Sequence, residues 1–153
     1  MATARGKWIL VGGGLFFIML MAAEAAAGNG KWKHVGFTRY RDPLYVDMNR
    51  TQTLGQGILS VWTRITPAEN SLFRSRLRQD LQRLGKSARD VKYLEMNKEI
   101  DCQRSRIRHV QLIYYDHRDR FLASTGDPGA PWKPIQAGSL WPDLQKAVCI
   151  RQE

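Results

Sequence analysis

Hydrophobic and polar positions change period several times along the chain, and each change marks an element. The clearest two-residue alternation runs from Ile58 to Thr66. Leu59, Val61, Thr63 and Ile65 fall on one face there, and Ile58, Ser60, Trp62 and Arg64 on the other, as side chains do in an extended strand. Before it, Trp32–Tyr40 predicts a strand through Trp32, Val35, Phe37 and Tyr40, Arg41-Asp42-Pro43 a turn, and Leu44–Met48 a second strand. The polar run from Asn49 to Gln56, with Gly55 and Gly57, reads as the loop that ends it. Alternation returns over Val91–Cys102, where Leu94, Met96, Ile100 and Cys102 alternate with Tyr93, Glu95, Asn97, Glu99 and Asp101. Arg106–Asp116 follows, with Val110, Leu112 and Tyr114 on one face and Ile107, Ile113 and Tyr115 on the other; His117-Arg118-Asp119 then turns the chain into Arg120–Ala123. Consecutive strands on short turns predict an antiparallel meander.

Two segments carry the helical period instead. Thr66-Pro67-Ala68-Glu69 has the form of a helix start: Thr66 at the N-cap, Pro67 at the first position, Glu69 three residues after the cap. Phe73, Leu77, Leu81 and Leu84 then recur at helical spacing, and Gly85 supplies a left-handed stop. Arg74, Arg78 and Arg83 lie elsewhere on this helix. A basic amphipathic helix has two readings: leucines packed on a sheet with solvated arginines, or a surface for membranes and acidic partners. The spacing favours packing. After the irregular Gly126–Pro131 loop and a short extended piece at Trp132–Ile135, Ser139 caps a last helix whose Leu140, Leu144, Ala147 and Val148 form one stripe. Pro142 is tolerated in its first turn, and Cys149 ends it.

The start of the chain has a different logic. Arg5 and Lys7 precede an uncharged stretch from Trp8 to Ala23 with the apolar run Leu15–Met21, and small residues follow through Gly28. This is the layout of a secretory signal peptide, residues 1–27, with cleavage after Ala25 or Ala27. An uncleaved anchor is the rival reading, but a bilayer span needs roughly 20 apolar residues, and this stretch contains Gly12-Gly13-Gly14 and stops at Glu24. No cysteine lies near the cleavage region, which disfavours a lipoprotein. The expected product, residues 28–153, is a single domain, periplasmic or secreted. Export removes Arg5, Lys7 and Glu24, so the formal charge of +10 becomes +9. Outside the cytosol a basic surface meets lipid headgroups, lipopolysaccharide, acidic glycans or acidic proteins rather than nucleic acid, although charge alone also serves solubility. Cys102 and Cys149 are the two cysteines, and in an oxidising compartment they read as one disulfide.

Catalytic chemistry is not indicated. His34, His109 and His117 are scattered, no metal-ligand spacing occurs, and no glycine-flanked nucleophilic serine is present. Asp116-His117-Arg118-Asp119 reads as a solvated turn rather than a proton relay, and Glu95, Glu99 and Asp101 as the outer face of a sheet rather than paired acids. No cofactor or metal is expected. Aromatic residues and arginines are interleaved, however, and Trp62 and Tyr115 join Arg74, Arg78 and Arg83 as candidate binding residues. Packing competes with binding for Trp62 and also for Trp141.

One ordered set of residues resembles a known family. Trp32, Tyr45-Val46-Asp47, Val61-Trp62, Glu99-Ile100-Asp101-Cys102, Tyr114-Tyr115, Trp132-Lys133-Pro134-Ile135 and Val148-Cys149 are similar, in this order, to the surface-adhesin protein E-like family of proteobacteria. The resemblance implies an α+β fold: an antiparallel sheet of about six strands, one or two packed helices, and a Cys102–Cys149 disulfide. It implies an adhesin-like role but brings no binding residues with it, because no segment matches an adhesive motif. The chain departs from the founding lipoprotein in lacking a lipid-accepting cysteine, and from many relatives in lacking a glycine before Phe121. The function expected is a non-enzymatic envelope binding module for an anionic or protein partner. The alternative is a structural periplasmic subunit that can pair as a homodimer through a sheet edge; a third reading is a small histidine-dependent hydrolase.

Overall fold

The computed structural model describes residues 32–149, so the expected leader at 1–27 lies outside the described residues. The elements run β1 (Trp32–Phe37), β2 (Pro43–Gly55), β3 (Ile58–Ile65), α1 (Leu72–Arg83), β4 (Val91–Asp101), β5 (Arg106–Asp116), β6 (Phe121–Gly126), β7 (Lys133–Pro134) and α2 (Trp141–Cys149). Strands β1 to β6 lie in sequence order, each antiparallel to its neighbour, and the two-residue β7 pairs with β5 at Arg106 and Ile107. Most strand connections are too short to let a strand skip its neighbour, so sequence order becomes spatial order. The fold is α+β, as expected.

Both helices pack on one face of this sheet. Leu44, Ile65, Leu94, Tyr114 and Ala123 form one row across five strands, and Val46, Thr63, Met96 and Leu112 begin the next. These rows form one core with Leu77 and Leu81 of α1 and Leu144 and Val148 of α2, all of them buried. Each large aliphatic side chain removed from water contributes about 1.5–3 kcal/mol. The predicted β3 face is the observed one: Leu59, Val61, Thr63 and Ile65 are all buried.

Three sequence expectations need correction. First, α1 starts at Leu72, not at Pro67. Ser71 is the N-cap, accepting from Phe73 N–H, and its own hydroxyl donates to buried Asp42 at 2.6 Å. Asp42 also accepts from Ala68 N–H, so the Thr66–Asn70 segment is held as a loop by a residue from before β2. The helix stop is as predicted. Gly85 adopts φ 67°, its N–H reaches Gln82 C=O, and Lys86 N–H reaches Leu81 C=O, the two bonds of a Schellman motif. Second, the polar Asn49–Gly55 run is strand, not loop. Between the Asp47↔Trp62 and Gln52↔Ser60 pairs, β2 carries extra residues against β3. Asp47 organises this bulge, accepting from Asn49 N–H and, through its carbonyl, from the Thr51 hydroxyl. Third, Ile107 lies on the same face as Leu112. The register slips by one residue at Val110, because Lys98 pairs with His109 while Asn97 pairs with Gln111. A single-residue bulge inverts the alternation beyond it.

The disulfide Cys102–Cys149 ties the end of α2 to the β4–β5 turn, with Cα atoms 5.8 Å apart. It closes a loop of 47 residues, worth about 4 kcal/mol in the chain-entropy model. Replacing both cysteines by alanine should therefore lower unfolding stability by about 2–4 kcal/mol in urea; an unchanged midpoint would mean that α2 is held by packing alone.

Candidate functional site

The five candidate binding residues fall on opposite sides of the sheet. Trp62 and Tyr115 lie on the face that carries no helix, whereas Arg74, Arg78 and Arg83 lie on α1. They do not form one site.

On the open face, arginines are layered between aromatic rings. The β2 bulge carries Arg50 over Trp62, with its guanidinium carbon 4.0 Å from the ring centroid. Arg64 lies between Trp32 and Tyr93, at 4.2 and 4.3 Å, and Tyr93 stacks on Tyr115. Buried Glu95 joins the two arginines, 3.1 Å from Arg50 and 2.6 Å from Arg64. Planar guanidinium groups suit this geometry, because they stack on rings and bind carboxylate edge-on at once. Burial pushes the Tyr93 phenol up to about 12 against the pull of the Arg64 charge, so it stays protonated. The other acids of β4 are also occupied: Glu99 binds Arg108 at 2.6 Å, and Asp101 binds Arg106 at 2.7 Å. The Arg106 hydrogen bond, opposed by burial, keeps the Asp101 carboxyl below its usual range. These carboxylates are fixed counter-ions on one strand.

The cations of α1 have a different setting. Among the described residues, Arg74, Arg76, Arg78, Lys86 and Arg89 have no carboxylate within salt-bridge distance, and Arg83 has only Asp80 at 3.4 Å. Arg78, Gln82, Lys86, Ser87, Ala88 and Arg89 line a shallow depression of about 530 Å³. Arg78 and Arg83 are exposed and Arg74 half-buried. This surface can accept anions.

The three histidines lie apart. His34 packs edge-on against Phe37 and Tyr45 on β1. His117 is exposed in the β5–β6 turn, which Asp116 organises by accepting from the Arg118 and Arg120 N–H groups and the Arg120 guanidinium. Burial would raise the Asp116 carboxyl, but these bonds outweigh it and hold it at about 2. His109 faces the core, where its Nδ1 is 2.7 Å from the Lys98 amine. Lys98 is fully buried and its Nζ lies 4.0 Å from the Trp141 ring centroid. Burial lowers the Lys98 amine well below its usual range, and burial with the charges of Lys98 and Lys133 lowers His109 to about 4. Sequence reading missed this pair. Lys98 sits in the even-numbered register of Leu94, Met96 and Ile100, a signal that was present but looked like a surface lysine.

An antiparallel sheet with helices on one face, a terminal disulfide and a basic helix defines a small disulfide-closed α+β domain. The sequence model of the Surface-adhesin protein E family matches residues 32–150, and the chain belongs to that family. The structure of Haemophilus influenzae protein E is similar at a TM-score of 0.51 and 10% identity, covering 80% of this chain and 86% of that one. Its selenomethionine form is similar at 0.50 and 8%, covering 81% and 88%. At these identities the likeness is one of fold. Among curated protein sequences, none matches the chain significantly.

Two outcomes follow from this geometry. Glu95→Ala leaves two guanidinium groups without their shared counter-ion and should destabilise the domain by about 2–3 kcal/mol in urea, with loss of the near-ultraviolet signal of the stacked aromatics. For His109, the unfolded imidazole titrates near 6.5 and the folded one at about 4. The unfolded state therefore binds more protons in that window, and stability is lost as pH falls through it. His109→Gln should flatten this limb by on the order of 1–2 kcal/mol after solvent screening; an identical pH profile would contradict the burial effect.

Proposed function

We infer that residues 28–153, freed from the 1–27 leader, act as a non-enzymatic binding module of the bacterial envelope that holds an anionic partner on α1. The observation that carries this reading is the contrast in pairing. Arginines of the open face are occupied by Glu95, Glu99 and Asp101, whereas Arg74, Arg76 and Arg78 of α1 have no acidic partner among the described residues and Arg83 has only the exposed Asp80 contact. Family membership supports an adhesin-like surface role. An exported protein meets lipopolysaccharide and acidic glycans, which offer repeated phosphates or carboxylates to guanidinium groups.

A second reading, a structural homodimer, draws on the sheet edges, because Phe37 on edge strand β1 and Phe121 on edge strand β6 are 59% and 62% exposed. Concentration-dependent sedimentation would favour it.

The test is retention of the disulfide-intact domain on immobilised lipopolysaccharide at low and high salt. Wild type should be retained at low salt and released at high salt. The triple variant R74Q/R78Q/R83Q should bind about tenfold more weakly, at roughly 0.5 kcal/mol per exposed contact. Salt-resistant retention, or equal binding by the variant, would contradict the α1 assignment.

A further inference from the structure

Between α1, α2 and the helix-covered face of the sheet lies a cleft of about 1080 Å³. Met96, His109 and Leu112 contribute to it from the sheet, Phe73 from α1, Leu140 from just before α2, and Trp141 from α2. Its size is at the top of the roughly 300–1,000 Å³ range of small-ligand sites, which are typically apolar with a few placed polar groups. The placed polar group here is His109, and the group behind it is another base. Lys98 is wholly buried beneath Trp141, and His109 is its one side-chain hydrogen-bond partner among the described residues. No carboxylate of the described residues hydrogen-bonds to either base. Of the charged groups nearby, Lys133 of β7 adds positive potential, and Arg39 and Arg76 line the cleft, each over the Tyr40 ring. Asp143 of α2 and Asp80 of α1 line the cleft, but Asp143 is exposed and Asp80 reaches Arg83.

Two bases share one hydrogen bond at an apolar wall, and no acid of the described residues stands beside them. A charge there is retained only when paired, so an arriving anion is the partner that would let the imidazole take up a proton. We propose that this cleft binds a monocarboxylate with an extended apolar body, such as an acyl-chain acid, its carboxylate on His109 and its chain along Met96, Leu112 and Trp141. Lys98 acts as a positioning residue, holding the imidazole through their shared hydrogen bond. On binding, the imidazole takes up one proton, from solvent or from the acid itself, and becomes the imidazolium partner of the bound carboxylate. The same burial that keeps His109 neutral when the cleft is empty strengthens the pair when it is filled.

Arg74, Arg78 and Arg83 do not line this cleft, although Arg76 of α1 does. The probes are dodecanoate and dodecanol, titrated below micellar concentration into the disulfide-intact domain at pH 7 with Trp fluorescence as the readout. Dodecanoate should bind saturably, one per chain and at least tenfold more tightly than dodecanol. His109→Gln should reduce that preference to less than threefold. In the wild-type protein, nuclear magnetic resonance should show the His109 titration moving up by more than one unit when dodecanoate saturates the cleft, a readout that does not depend on any variant folding. Leu112→Trp, with its circular dichroism unchanged, should abolish binding of both probes by filling the cleft, and R74Q/R78Q/R83Q should leave it intact. Equal affinity for the two probes, an unmoved His109 titration, no saturable binding, or full binding by a folded Leu112→Trp variant would each overturn the proposal.

Discussion

The unbroken pairing of β3 with β4 is the constraint on which the rest of this structure depends. From Ile58↔Asp101 to Ile65↔Leu94 the two strands run without a slip, so each residue's face is set. Irregularity lies outside this stretch. The extra residues in β2, between Asp47 and Gln52, bring Arg50 over Trp62 and onto Glu95. The bulge at Val110 in β5 lets Ile107 and His109 share the core side with Leu112 and Tyr114. Each bulge thus places one side chain that regular pairing would have put elsewhere, and each of those side chains belongs to a distinct polar cluster.

Charge is distributed by the same architecture. A sheet covered on one side exposes its other face, and this one carries arginines and acids in adjacent positions across strands, where they neutralise one another. Helix α1 draws its neighbours from the core and from solvent, so its cations meet few acids. A strongly basic chain therefore presents a nearly balanced sheet face and a cationic helical one. Net charge alone could not distinguish these two surfaces, although they have different uses.

Lys98 and His109 show how a fold can hold a base without charging it. A buried ammonium group costs more than its attraction to the Trp141 ring returns, so burial weakens the amine's hold on its proton, and the amine shares a hydrogen bond with the imidazole. The arrangement is a poised environment, in which the arrival of a negative charge alters the protonation of the imidazole.

Local periodicity determined much of this protein. Strand β3 with its buried face, the limits of β5, the Gly85 stop, the stripe of α2 and the Cys102–Cys149 bond all follow from neighbouring residues or from a cysteine count of two. The ordered motifs carried the family resemblance across nearly the whole domain. Tertiary structure decided what depends on distant partners. Asp42 and Ser71, 29 residues apart, move the start of α1 past an apparently good cap at Thr66. Glu95 reaches across 45 residues to fix Arg50. Alternation specifies which residues share a face only while the register is regular, so a bulge, being a property of two strands together, hid the face of Ile107 and the meeting of His109 with Lys98. Trp62 and Tyr115 were legible as candidates, but their separation from the α1 arginines was not, because only the packed sheet gives the molecule two sides.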